Sequence, residues 1–122
     1  MQIPAMGSGT GPKCSVSSSD IANLPKEFDW RSKGVVTPIK VQGNCGSCYA
    51  FSAIGAMESG YQIHVKGSGQ VEFSEQDIIN CYSQGGRDGC GNGFPWDVLE
   101  MSVKRGVMKG ELRSYKGSVC FI

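Results

Sequence analysis

Gln42-Gly43-Asn44-Cys45-Gly46-Ser47-Cys48-Tyr49-Ala50-Phe51-Ser52 is a glycine-broken turn that runs straight into an apolar helix and leaves a thiol at the junction. From Cys48 to about Val65, the residues Ala50, Ile54, Met57, Tyr61 and Val65 share one helical stripe, and Tyr49, Ala53 and Ala56 make a second. Two stripes predict a helix buried over most of its first turns. Gly46 and Ser47 precede it as turn and cap, which places Cys48 in the first turn. Unpaired backbone N–H groups and the positive end of the helix dipole gather there, an arrangement that suits a negatively charged sulfur. The thiolate is the reactive form of cysteine, so the pattern marks Cys48 as a candidate nucleophile.

Two other chemistries use cysteines at this spacing. Cys45-Gly46-Ser47-Cys48 also reads as a thioredoxin-like redox pair, but such a pair follows a buried central strand. Thr37-Pro38-Ile39-Lys40-Val41 is a poor one, because proline removes a ladder donor. Zinc would take Cys45 and Cys48 at ligand spacing, yet Cys81 and Cys90 are separated by eight residues and no histidine lies near them.

Composition narrows the classes further. Twelve Lys+Arg against eleven Asp+Glu leave a formal charge of +1, too balanced for an electrostatic nucleic-acid or polybasic membrane binder. No apolar run approaches the roughly 20 residues of a membrane span, and the first 20 residues lack the apolar core of a signal peptide. Val119-Cys120-Phe121-Ile122 has its cysteine one place too late for a prenylation box. Six cysteines in 122 residues argue for an oxidising compartment, with fifteen possible full pairings that spacing alone does not rank.

The stretch 42–52 resembles the active-site segment of papain-like cysteine peptidases, whose Cys-Gly-Ser-Cys-aromatic pattern it carries. Pro25-Lys26-Glu27-Phe28-Asp29-Trp30-Arg31 resembles that family's mature N-terminus, and Gly34-Val35-Val36-Thr37-Pro38-Ile39-Lys40 its first extended segment. Phe73-Ser74-Glu75-Gln76-Asp77-Ile78-Ile79-Asn80-Cys81 and Cys90-Gly91-Asn92-Gly93-Phe94-Pro95-Trp96 match in the same order. The likeness covers residues 25–122, with 1–24 a flexible tail or leader remnant in which Cys14 has no counterpart.

The resemblance implies a mainly α fold: the helical, left lobe of a two-lobed α+β architecture, with three helices, disulfide bridges and little sheet. It implies bridges Cys45–Cys90 and Cys81–Cys120, leaving Cys48 free. Each would stabilise by roughly 2–4 kcal/mol. It assigns Cys48 as nucleophile, and the Gln42 side chain with the Cys48 N–H as the oxyanion hole. Gly93 would present its backbone to an extended peptide or protein substrate, with Asn92 beside it and Phe94 and Pro95 walling the neighbouring pocket. No cofactor and no metal is implied, and the compartment would be lysosomal, vacuolar or extracellular. Two positions depart from the pattern. Tyr49 stands where Trp is usual, and Cys90-Gly91-Asn92-Gly93 replaces Cys-Asn-Gly-Gly, putting at position 92 a residue that tolerates left-handed backbone.

The base is the difficulty. A cysteine peptidase needs a histidine to take the thiol proton and an Asn or Asp to orient it. His64, the one histidine, is sixteen residues along the same predicted helix, roughly 24 Å from Cys48 at about 1.5 Å per residue. In the resembled family the His and Asn come about 130–150 residues after the nucleophile, so a second lobe is expected to carry them and to meet an apolar surface on this one. The reading is the nucleophile-bearing half of an endopeptidase. Its alternative is a non-catalytic lobe that binds peptides, inhibitors or a partner chain.

For the rest of the chain, Pro38 predicts an extended edge segment over Val35–Ile39, and Gly67-Ser68-Gly69 a loop. Ser74 and Asp77 fit a capping box opening a short helix to about Cys81. Tyr82 to Asn92 reads as a loop. Pro95 suits the first turn of a third helix whose stripe Trp96, Leu99 and Val103 is expected to face inward, with Glu100 and Lys104 paired outside and Gly106 as its stop. From Val107 onward the pattern is irregular.

Overall fold

The computed structural model describes residues 15–65, 69–82 and 89–120. Cys14, the Gly67-Ser68 turn and most of the expected Tyr82–Asn92 loop lie outside them. Among these residues four helices follow one another, α1 (Ser18–Ala22), α2 (Cys48–His64), α3 (Glu75–Cys81) and α4 (Pro95–Arg105), with 3₁₀ turns at Trp30–Lys33 and Gly110–Leu112. Among the described residues β pairing amounts to two isolated bridges, Gly46 with Gly91 and Phe73 with Lys109. The mainly helical fold with little sheet is therefore observed, with one helix more than the pattern predicted. That helix, α1, falls in the expected tail. Ser17 Oγ accepts the Asp20 N–H at 3.1 Å, and the Asp20 carboxylate accepts the Ser17 N–H at 3.0 Å, a reciprocal cap. None of its residues is buried, so it leaves no apolar period to read.

Helix α2 is the axis of the fold and packs against both α3 and α4. Its residues Tyr49, Ala50, Ala53 and Ile54 join Cys45, Ile78, Ile79, Tyr82 and Val98 in one buried cluster. The predicted stripes hold over these first turns and then fail. Ala56 and Val65 are exposed, whereas Glu58, in neither stripe, is fully buried.

Glu58 is buried because its carboxylate is saturated. It accepts the Thr37 hydroxyl, the Lys40 ammonium at 2.7 Å and the Phe73 N–H at 2.7 Å. Lys40 reaches Glu75 as well, also at 2.7 Å. The extended segment before the 42–47 turn is thus bolted to α2 and α3 by a buried ionic cluster rather than by a sheet ladder. Burial alone would push the Lys40 ammonium down, but its hydrogen bonds and charge pairing with Glu58 and Glu75 prevail and hold it above the usual lysine range. A folded-state value raised above the unfolded one means that this contribution is complete below the ordinary lysine value and is lost as pH rises through the raised one. Denaturant titrations between neutral pH and about pH 11 are therefore expected to show a loss of stability at the alkaline end that is smaller in Lys40→Arg, whose guanidinium stays charged.

Helices α3 and α4 each depart from their expected detail. The Ser74 hydroxyl accepts the Asp77 N–H at 3.0 Å, as a cap should. The other half of the box is absent, because the Asp77 carboxylate turns to Arg105 at 2.9 Å and Arg113 at 3.6 Å while the Ser74 N–H goes to the Met108 carbonyl. In α4 the stripe expected to face inward faces out: Trp96 is 69 %, Leu99 41 % and Val103 87 % exposed. The buried side is Val98 with Met101 packed beside it. Asp97 and Arg105 flank that side, and both find partners inside, Tyr82 Oη at 2.9 Å and Asp77 at 2.9 Å, which turns the helix against its apolar stripe. The Glu100–Lys104 pair lies outside as predicted, and the Gly106 N–H closes the helix onto the Ser102 carbonyl.

Candidate active site

Cys48 opens α2 and its side chain is exposed, a free thiol. As the first helical residue it carries an N–H that no carbonyl of the helix can accept. Ser47 holds the cap position, yet its side chain makes no capping bond. Its hydroxyl is engaged elsewhere, 2.7 Å from Tyr115 Oη, and Tyr115 Oη lies 2.7 Å from the Gln42 carbonyl. A carbonyl only accepts, so the phenol proton goes to Gln42 and Ser47 must donate to the phenol.

Gln42 is drawn into the same turn. Its Nε2 donates to the Cys45 carbonyl at 2.9 Å, an oxygen that also accepts the Ser47 N–H at 2.8 Å. One of the two amide protons is thereby used to orient the group, and the second is left for a ligand.

The 90–95 segment is brought alongside by covalent and backbone ties. Cys45 and Cys90 form a disulfide, and the Gly46 N–H donates to the Cys90 carbonyl at 3.0 Å. The approach is close enough that a Cβ on Gly46 would lie 2.5 Å from that carbonyl oxygen, which explains the glycine between the two cysteines of the turn. Asn92 has φ 68°, the left-handed backbone its side chain suits. Beneath it, Tyr82 donates to Asp97 and accepts the Phe94 N–H at 3.2 Å, while Tyr49 donates to the Gly89 carbonyl at 2.7 Å. The two rings pack with centroids 4.6 Å apart. Tyr49 therefore fills the place after Cys48 as a buried, hydrogen-bonded aromatic.

Of the residues expected to meet substrate, Asn92, Phe94 and Pro95 are exposed and Gly93 is half-buried. Gly93 rests on the Tyr82 ring, where a Cβ would sit 2.7 Å from ring carbons. The Tyr82 ring is tethered through its hydroxyl, which donates to Asp97 and accepts the Phe94 N–H, so moving it away strains both bonds. Gly93→Ala is expected to cost about 1–3 kcal/mol in a urea titration, the cost of overpacking.

One expected bridge is not made. Cys81 and Cys120 are both free, exposed thiols. Cys120 is anchored by its N–H on Asn80 Oδ1 at 3.0 Å, but its sulfur turns to the Ser118 carbonyl at 3.9 Å, and a disulfide requires the two Cβ–Sγ vectors to converge. His64 ends α2 at the far side from Cys48 and is exposed, so the base is not found among the described residues. Glu58 and Tyr115 carried no sequence signal. Their partners lie 15 or more residues away in the chain, beyond the reach of any local pattern.

Comparison with known proteins places this arrangement. The model of the papain family of cysteine proteases matches residues 24–120. Papain from Carica papaya is 39 % identical over 95 residues, covering 78 % of this chain and 26 % of its own length. Human cathepsin L2 is 50 % identical over 89 residues, 73 % of this chain and 26 % of its own. The structure of a recombinant stem bromelain precursor superposes with a TM-score of 0.76 at 34 % identity, over 91 % of this chain and 35 % of that one. The chain thus spans about a quarter of the curated relatives it matches. Over that span, with its thiol at the head of α2 and Gln42 and the 90–95 segment beside it, the chain belongs to the papain family of cysteine proteases.

Proposed function

We propose that this chain is the nucleophile-bearing half of a papain-like cysteine endopeptidase, and that it hydrolyses peptide bonds through a Cys48 thioester when a second lobe supplies histidine and asparagine. The observation that carries the reading is the pairing of an exposed thiol at a helix N-terminus with an amide, Gln42, that is oriented by one proton and has one to offer. In this mechanism the Cys48 sulfur attacks the substrate carbonyl carbon, and the oxygen that becomes anionic is met by the Cys48 N–H and Gln42 Nε2. Collapse expels the amine, which takes its proton from the histidine of the second lobe. Water, deprotonated by the same histidine, then cleaves the thioester and returns the thiol.

The substrate would lie extended along Gly93, with Asn92 at the edge and Phe94 and Pro95 against one of its side chains. The second lobe would cover apolar surface, and exposed Ile39 and Val41, just before Gln42, support that placement. A lysosomal, vacuolar or extracellular setting belongs to the same reading, supported by the Cys45–Cys90 disulfide.

The test is turnover of a fluorogenic dipeptide by the purified chain, alone and with a complementing lobe that carries His and Asn. The chain alone is expected to be inactive, and the complemented one active and dependent on Cys48. Cys48-dependent turnover by the chain alone would overturn the assignment of the base. The second reading, a non-catalytic binding lobe, would be carried by peptide binding without turnover in the complemented state.

A further inference from the structure

We infer that Tyr115 is a positioning residue for the oxyanion site, holding the Gln42 and Ser47 segments of the active-site turn in register through a single phenol. The inference deepens the proposed function and rests on its assignment of Gln42 and the Cys48 N–H as the donor pair. Tyr115 Oη donates to the Gln42 carbonyl and accepts from Ser47 Oγ, both at 2.7 Å. Those two residues bracket the turn that carries one donor at each end, Gln42 Nε2 and the N–H of Cys48, the residue after Ser47. A donor pair works only if both point at the same oxygen, so a clamp across the turn acts directly on its geometry.

The clamp is itself held on every side. The Tyr115 ring meets Phe51 of α2 edge to face, with centroids 4.9 Å apart. Ser47 is fully buried, so its hydroxyl depends on the phenol for a good partner, the Cys45 carbonyl lying at 3.5 Å. On the far side, Gln76 of α3, 2 % exposed, grips the chain just after Tyr115 twice, its Oε1 accepting the Lys116 N–H and its Nε2 donating to the Ser118 carbonyl, at 2.7 and 2.8 Å. Ser74 Oγ grips it just before, donating to the Arg113 carbonyl at 2.7 Å. Tyr115 is therefore a rigid strut running from α3 to the turn, and Gly117 (φ 71°) makes the bend that seats it.

Tyr115→Phe removes both hydrogen bonds and keeps the ring against Phe51. In the chain as it stands, hydrogen–deuterium exchange is expected to speed up about tenfold at amides 43–48 and to stay unchanged in α3 and α4. In the complemented peptidase, kcat is expected to fall about tenfold with KM within twofold. Affinity for a peptide aldehyde, which forms an oxyanion on Cys48, should fall by the same factor while alkylation by iodoacetamide is unaltered. Ser47→Ala, which leaves the Gln42 bond in place, should show a smaller loss of the same kind. Unchanged exchange at 43–48, or faster exchange throughout the chain, would overturn the inference and leave Tyr115 a packing residue. A wild-type assembly without turnover would refute the proposed function while the exchange measurement still reads the clamp.

Discussion

Glu58→Ala is expected to destabilise the fold by about 3–5 kcal/mol, the range for removing one partner of a buried ion pair. The carboxylate is 1 % exposed and answers three donors from two separate segments, Thr37 and Lys40 on the extended stretch before α2 and Phe73 before α3. Without it the Phe73 N–H and the Thr37 hydroxyl lose their acceptor in a site closed to most water, at about 1–3 kcal/mol for a buried group left unsatisfied. Lys40 keeps Glu75, so its charge is not stranded, and that bounds the loss. For a domain stable by about 5–15 kcal/mol such a change consumes much of the margin. The effect should appear as a lower urea midpoint with little change in slope, and Thr37→Val, which removes one donor only, should cost a fraction of it. Equal stability of Glu58→Ala and the parent would mean that the cluster holds nothing together.

The larger effect on chemistry belongs to Gln42. Gln42→Ala is expected to lower kcat in the complemented peptidase by about 10²–10³, the loss typical of one oxyanion donor, with KM changed far less. The fold should tolerate it: the Cys45 carbonyl that Gln42 now satisfies keeps the Ser47 N–H, and the Tyr115 bond is to the Gln42 main chain, which the substitution spares. A matched fall in kcat and in urea midpoint would point instead to a structural role.

What could be read from the sequence follows from the range of each interaction. The turn 42–52 and the head of α2 are local: glycines, a thiol and a double apolar stripe lie within a dozen residues, and the buried Tyr49, Ala50, Ala53 and Ile54 answer to them. Farther along α2 the apolar period gives no warning of Glu58, because an acid becomes a core residue only when Thr37, Lys40 and Phe73 arrive from elsewhere. Helix α4 teaches the converse. Its stripe Trp96, Leu99, Val103 is sound as a helix signal and wrong as a core signal, since Asp97 and Arg105 are satisfied inside and Val98 fills the contact. The segment after Val107 has no period at all, and it still supplies Tyr115, placed by side-chain bonds to α3.

The proposed mechanism requires that the Cys48 sulfur become acylated by substrate. The measurement is acid quench of the complemented peptidase during turnover of a peptide ester, followed by peptide mapping without reduction. A peptidyl adduct on Cys48 is expected that vanishes in Cys48→Ala, with Cys45 and Cys90 still joined and Cys81 and Cys120 unmodified. An adduct on another cysteine, or Cys48 recovered in a disulfide with Cys45, would contradict it.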